Sequence, residues 1–313
     1  MIRVTSSLAV LALAFAPVAS AHGAPTLPVA QQAAPTTVVT SEDLGDGLHM
    51  LQGRGGNIGL LTGPDGAFVI DSQYADIAPA NLSKIDEISG EAPRFLINTH
   101  WHGDHTGGNS AFDASGALII AHDNVRARVS TDQSLSIAGR LRETSASDPA
   151  AWPVVTFDDD LTLHLNGQTV RLIHVPDAHT DGDTLVHFEE ANVLHMGDVM
   201  FSGMFPFIDT GSGGSVDGYI AALDMAHAMI DDDTRVIPGH GPLSTRADIK
   251  AIADMLRGAR AAVQTEIDAG KSLDETLTAA PLTPWVEDWA TAFMTEPIFT
   301  TILYDDLSSG DTD

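Results

Sequence analysis

Cysteine is absent from this 313-residue chain. That excludes disulfides, thiolate nucleophiles and Cys-ligated zinc together, so any zinc must be held by nitrogen and oxygen. Basic residues are scarce: 15 Lys and Arg stand against 43 Asp and Glu, for a formal charge of −28, and lysine occurs only at Lys84, Lys250 and Lys271. A nucleic-acid binder needs a basic footprint to neutralise phosphates, so nucleic acid is not an expected partner. No apolar run is of membrane-spanning length. The run Leu8 to Phe15 follows Arg3 and precedes Ala19-Ser20-Ala21. This is the pattern of a secretory signal peptide over residues 1–21, cleaved after Ala21. A periplasmic or secreted protein is expected, with no stable membrane insertion after cleavage.

What is present supports a real core, since hydrophobic residues make up 43% of the chain. Residues 22–40 are rich in Ala, Pro and Thr and read as a flexible linker. A compact domain is expected over 41–307, and residues 308–313 read as a disordered polar tail. Within the domain, LHMLQG, NIGLLTG and GAFVIDS read as strands, with Gly63-Pro64-Asp65-Gly66 as a turn. Ile77, Leu82, Ile85 and Ile88 recur at helical spacing, and RFLINTH is the next strand. NSAFDAS and DNVRARVSTD read as helical or irregular. LTLHLNGQTVRLIHV is a hairpin turning at Asn166-Gly167; DTLVHFEE, NVLHMGD and TRVIPGH are strands. Helices are expected from Val216 to Ile230 and from Thr245 to Gly270. Strands plus helix, twice over, predict two mixed α/β halves with sheets inside and helices outside. Residues 140–153 lack periodicity and read as a loop, either over a site or a surface insertion.

Short apolar strands repeatedly run into a turn that projects a polar group. RFLIN leads to His100, VRLIHV to His179, NVLHM to Asp198 and RVI to His240. Ligands at several strand ends can converge on one edge of a sheet sandwich. His100 and His102 are two apart and point the same way in an extended segment, and Asp104 and His105 follow the turn at Gly103. With His179, Asp198 and His240 the set has seven members. One catalytic zinc uses fewer, whereas seven suit two metals with one bridging carboxylate.

The stretch THWHGDH resembles the H-x-H-x-D-H signature of the metallo-β-lactamase fold superfamily. The later His179, Gly197-Asp198 and Pro238-Gly239-His240-Gly241 are similar to its remaining ligand motifs, in order. The resemblance covers about Leu51 to Leu256. It implies a four-layer αββα sandwich, an α/β fold of two mixed sheets with outer helices. It implies two zinc ions, with iron or manganese as alternatives. His100, His102 and His179 would hold the first, Asp104, His105 and His240 the second, and Asp198 would bridge. Asp104 would also orient the nucleophile, a metal-bridged hydroxide, as the catalytic carboxylate. The implied activity is hydrolysis of an ester, lactone, thioester or amide bond in a small exported or periplasmic molecule. The alternatives are a non-catalytic metal-binding or cofactor-maturation accessory protein and a true β-lactamase. Lactamases of the cysteine-ligated type carry Cys at the position of Asp198 and Lys three residues on, where this chain has Phe201.

The remaining polar residues have quieter readings. Asp71 would orient a ligand histidine; His195 reads as a structural group or as a residue orienting a ligand; Asp181 and Asp183 would orient a ligand or shape a turn. His164 reads as surface, and His174 and His187 as structural groups. Met200, Phe201, Met204, Phe205 and Phe207 read as core or as an apolar pocket wall, and Gly211 to Gly214 as a mobile loop beside it.

Overall fold

Two-residue alternation along short strands builds two sheets packed face to face. The computed structural model describes residues 38–137 and 140–309; the expected signal peptide, most of the linker and the last four residues lie outside them. The first sheet opens with β1 (Thr40–Asp43), β2 (Leu48–Gln52), β3 (Ile58–Leu61) and β4 (Ala67–Ile70), all antiparallel. Helix α1 (Ala78–Ser89) then crosses to β5 (Pro93–Ile97), and α2 (Gly103–Thr106) and α3 (Asn109–Ala114) lead to β6 (Leu118–His122). Helix α4 (Asp123–Val129) is followed by a separate hairpin, β7 (Gln133–Ile137) and β8 (Arg140–Thr144), before β9 (Val155–Phe157) closes the sheet. From β4 to β9 the sheet is parallel.

The second sheet contains β10 (Asp160–Leu165), β11 (Gln168–His174), β12 (Thr184–Phe188), β13 (Val193–His195), β14 (Arg235–Ile237) and β15 (Ser244–Thr245). It is antiparallel except where β13 meets β14. Helix α5 (Val216–Met229) precedes β14. After β15 come α6 (Arg246–Asp268), α7 (Leu273–Ala279), α8 (Val286–Trp289) and α9 (Glu296–Ser309). The Asn166-Gly167 turn is as its chemistry demands: both residues have positive φ, 53° and 75°, and Leu165 pairs directly with Gln168. Asp65 and Asn166 exchange reciprocal backbone-to-side-chain hydrogen bonds of 2.7 Å, so the turns of the two sheets lock together.

Residue parity assigns the layers. Met50, Leu61, Phe68, Ile70, Ile97 and Ile120 of the first sheet meet Val170, Leu172, Val186, Phe188 and Val193 of the second. Their neighbours Leu60, Val69, Leu96 and Ile119 face the other way and pack with Ile77, Ile85 and Phe112 of the α1 and α3 region. On the far side, Ile173, Leu185 and Leu194 pack under Tyr219, Leu223, Ile252, Leu256 and Phe299 of the outer helices. The result is four layers, αββα. No helix among the described residues is long and apolar enough to cross a membrane.

Residues 140–153 differ from expectation. They begin as strand β8, and only the later part is a loop with a single helical turn at Pro149–Ala151. The β7–β8 hairpin carries Gln133, Leu135, Arg142 and Thr144 on one face and Ser134, Leu141 and Glu143 on the other. Neither face is uniformly apolar, so alternation gave no signal. Helices α7 to α9 had no sequence-level assignment.

Phe188 is fully buried between the sheets. Phe188→Ala is expected to destabilise the protein by about 3–5 kcal/mol in urea unfolding, because the two facing sheets cannot collapse onto the void. A loss below about 1 kcal/mol would contradict this inter-sheet packing.

Candidate metal centre

Strands β4, β5, β11, β13 and β14 all end at one edge; the seven candidate residues sit in the segments after the last four, and Asp71 follows β4. After β5 the chain passes His100, and His102 adopts an extended conformation (φ −61°, ψ 148°) that starts α2, which carries Asp104 and His105. His179 lies in the loop after β11, where the Asp183 carboxylate accepts hydrogen bonds from the backbone N–H groups of His179 (2.6 Å) and Thr180 (2.8 Å). Asp198 follows β13 on a single helical turn, Gly197–Val199. His240 follows β14. Close approach makes two glycines necessary. A Cβ on Gly239 would lie 2.1 Å from Asp198 Oδ1, and one on Gly56 would lie 2.1 Å from the His105 ring.

The structure brings all seven residues together in two groups whose ligand atoms lie within 4.8 Å of one another: His100, His102, His179 and Asp198, and beside them Asp104, His105 and His240. Asp198 faces both. Its Oδ2 is 3.7 Å from His100 Nε2 and 3.5 Å from His179 Nε2. Its Oδ1 is 3.0 Å from His105 Nε2 and 3.3 Å from His240 Nε2. Asp104 Oδ2 lies 3.2 Å from His240 Nε2 and 3.8 Å from His105 Nε2.

Four of the five imidazoles are oriented from behind. His105 Nδ1–H donates to Asp71 Oδ2 (2.7 Å), His179 Nδ1–H to the Phe207 carbonyl (2.8 Å) and His102 Nε2–H to Asp209 Oδ2 (2.9 Å). Thr99 Oγ–H donates to Asp71 (2.7 Å) and its oxygen receives His100 Nδ1 at 3.1 Å, so Asp71 orients two histidines, one through Thr99. Asp71 reaches them from a left-handed backbone, φ 65°.

Asp209 and Thr99 had no sequence-level reading. Asp209 stands before a Gly-rich turn, in a segment whose local pattern says only loop; proximity to His102 arises across 107 residues. His195 contacts the Asn57 carbonyl (3.3 Å) and accepts from Gly197 N–H (3.2 Å), holding backbone near the ligand loop rather than a ligand ring. Asp181 pairs with Arg128 at 2.6 Å. His122 and His174 stack on each other at 3.8 Å, and His164 is exposed. The Met/Phe cluster divides. Met200 and Phe205 are core, whereas Phe201, Met204 and Phe207 line the cavity over the centre. Residues 211–214 form a tied turn rather than a mobile loop: Gly214 N–H donates to the Asp209 carbonyl, and Asp181 N–H to the Ser212 carbonyl.

The electrostatics are those of a site built for cations. Burial opposes a charge on His105, but Asp198, Asp71 and Asp104 outweigh it and hold the ring well above the ordinary histidine value. Burial likewise opposes charge on His240, yet Asp198 and Asp104 raise it to about 9. Burial would raise Asp104, but His105 and His240 bring it down to about 2. Burial and then neighbouring histidines push His100 well down and His179 to about 4.

The donors fit a divalent metal. His179 Nε2 and His102 Nδ1 face each other at 2.9 Å although the other nitrogen of each ring is already engaged, so two lone pairs converge. His100 Nε2 is buried with no hydrogen-bond partner among the described residues. Burying such an atom unpaired costs free energy that a cation would recover. The centre opens into a cavity of about 690 Å³ bordered by Trp101, Asp104, Phe201, Met204, Phe207 and His240.

Comparison with known proteins agrees with this geometry. The family model described as the metallo-beta-lactamase superfamily matches residues 51–240. An acyl-coenzyme A thioesterase of Gallus gallus is 25% identical over 220 residues, covering 63% of this chain and 78% of that protein. A hydroxyacylglutathione hydrolase of Polaromonas sp. is 33% identical over 151 residues, covering 46% and 47%. Among solved structures, a metallo-beta-lactamase from Pontibacter korlensis superposes with a TM-score of 0.59 at 16% identity, covering 70% of this chain and 99% of that one.

Two outcomes follow. Asp209→Asn is expected to weaken metal affinity by about 10–100-fold in chelator competition, with the fold intact, because His102 loses the carboxylate that orients it. Zinc added to metal-free protein at pH 7 is expected to release about one to two protons, since His105 and His240 are protonated below their raised values and must be neutral to ligate. Release should fade as pH rises past about 9. Calorimetry in buffers of different ionisation enthalpy reads it; no buffer dependence would refute this electrostatic account.

Proposed function

We propose, for a chain that belongs to the metallo-beta-lactamase superfamily and is a metallo-hydrolase of it, that two zinc ions support hydrolysis of a thioester or related ester of a small acyl compound. The observation that carries this reading is the Asp198 carboxylate, with one oxygen toward each histidine group. His100, His102 and His179 would hold one ion, and Asp104, His105 and His240 the other. Ions so held supply Lewis acidity and a water ionised near neutral pH.

The chain's own residues do the rest. Asp104 borders the cavity, is about one-fifth exposed and stays ionised, so it accepts a hydrogen bond from the attacking water and aligns it. The water oxygen bonds to the acyl carbon, the carbon–sulfur or carbon–oxygen bond breaks, and the water proton leaves with the thiol or alcohol. Trp101, Phe201, Met204 and Phe207 supply an apolar wall that excludes bulk water and accepts the acyl chain. Phe201 stacks on His240 with ring centroids 5.0 Å apart, so no cation projects from that position to grip a lactam carboxylate. The thioester preference is supported by the relatives that act on thioesters, acyl-coenzyme A thioesterase and hydroxyacylglutathione hydrolase. The N-terminal pattern up to Ala21 supports an exported location.

Asp104→Ala is expected to lower kcat on a thioester, ester and lactone panel by about 100-fold or more. Removing metal with a chelator should abolish turnover, and about two equivalents of zinc should restore it. Full activity in the metal-free protein would sink the proposal.

A further inference from the structure

Among the described residues, the exposed Arg142 meets no acid and no carbonyl. Among the residues whose side chains the structure describes, every other lysine and arginine meets an acid or a backbone carbonyl. In a chain of formal charge −28, with acids outnumbering bases 43 to 15, an arginine left alone is conspicuous. It is also not placed at random. Leu135 and Arg142 are cross-strand partners on the β7–β8 hairpin, as are Gln133 and Thr144, and all four border the cavity over the metal centre. Strand parity sends Ser134 and Glu143 to the opposite face, where they bond to each other at 3.0 Å. The hairpin's one acid is therefore turned away from the cavity. Arg128 also borders the cavity, but the Asp181 carboxylate engages it through both oxygens, at 2.7 and 2.6 Å.

Two aromatic residues border the same space. Trp101 borders the cavity, is buried, and its indole N–H has no hydrogen-bond partner. Tyr74 borders it too; the field of Arg142 reaches its phenol, as does that of Asp104. The cavity thus has an apolar wall beside the metal groups, a polar strip on the hairpin, and one uncompensated positive charge. Arg142 is exposed at the rim of the cavity, and bulk repulsion from the distributed negative charge is screened within about 8 Å at physiological salt, so an anion arriving at the cavity mouth meets the local field of the guanidinium.

We infer that Arg142 is an anion subsite: the substrate carries, away from the scissile bond, a carboxylate or comparable anion that Arg142 holds while the acyl chain lies on the Trp101–Leu135–Phe207 wall. A guanidinium offers a planar fork suited to such a group. The inference names a substrate feature for the hydrolase reading above and rests on it, and it places specificity on an element outside the metal-ligand segments.

The test uses metal-loaded full-length protein and matched probes: hexanoyl thioesters of 3-mercaptopropionate, which is anionic, and of 2-mercaptoethanol, which is neutral. A 6-carboxyhexanoyl thioester of 2-mercaptoethanol moves the charge to the acyl side. Binding of the non-hydrolysable S-hexyl thioethers of the same two thiols, and of 6-carboxyhexyl 2-hydroxyethyl thioether, is measured by calorimetry. Wild type should favour an anionic probe by about 10-fold or more in KM and Kd. Arg142→Ala should erase that preference with kcat on the neutral probe within about 2-fold, Arg142→Lys should keep most of it, and Arg142→Glu should invert it. An anion preference that survives in Arg142→Ala, or none in wild type, overturns the subsite. If wild type cleaves no thioester but thioether binding still follows Arg142, the thioester reading fails and the subsite stands. If cleavage proceeds without charge preference, the reverse holds.

Discussion

A carboxylate buried among four histidines is the constraint around which this protein is organised. Asp198 is 4% exposed, and its two oxygens address two different sets of ring nitrogens. A buried anion is costly unless positive charge meets it, and a carboxylate that spans two clusters asks for a cation on each side. The local backbone is shaped to permit this. Gly197 turns with φ 51° where a Cβ would strike Thr99 at 2.6 Å, and Gly239 leaves room for the Asp198 oxygen itself. The sheets serve the same end, since five of their strands finish at the edge where Asp198 sits.

Orientation is as important as proximity. An imidazole offers a lone pair inward only if its other nitrogen gives a proton outward, and here the outward partners are a carbonyl, a threonine and two aspartates. Asp71 and Asp209 act from opposite sides, on His105 and His102. Asp71 also steers His100 through Thr99, so losing that one carboxylate would loosen a member of each metal group. This couples the two groups through the protein as well as through Asp198.

The metal groups and the cavity over them are built from different parts of the fold. The metal groups arise at the ends of sheet strands, where packing between the layers keeps them rigid. The cavity over them is completed by the β7–β8 hairpin and by Phe201, Met204 and Phe207, which follow Asp198. An apolar wall beside a polar strip suits a molecule with a hydrocarbon part and a charged part.

The sequence by itself determined the strand and helix order through most of the domain, the Asn166-Gly167 turn and the seven-residue constellation. These are local matters: alternation, turn chemistry, and ligands held a few residues beyond apolar runs. It also determined that no cysteine thiolate could take part. Only the tertiary structure decided what stands behind each ring. Asp209 meets His102 from 107 residues away, and no pattern around Asp209 distinguishes it from an ordinary turn aspartate. Only tertiary structure split the Met/Phe cluster between core and cavity, because both fates look equally apolar in sequence. Residues 140–144 were unreadable as strand for a related reason. A strand lining a wet cavity mixes Gln, Leu, Arg and Thr on one face, so the period that reveals a buried strand never forms. Local pattern records what an element buries; which distant groups it meets depends on how the layers close.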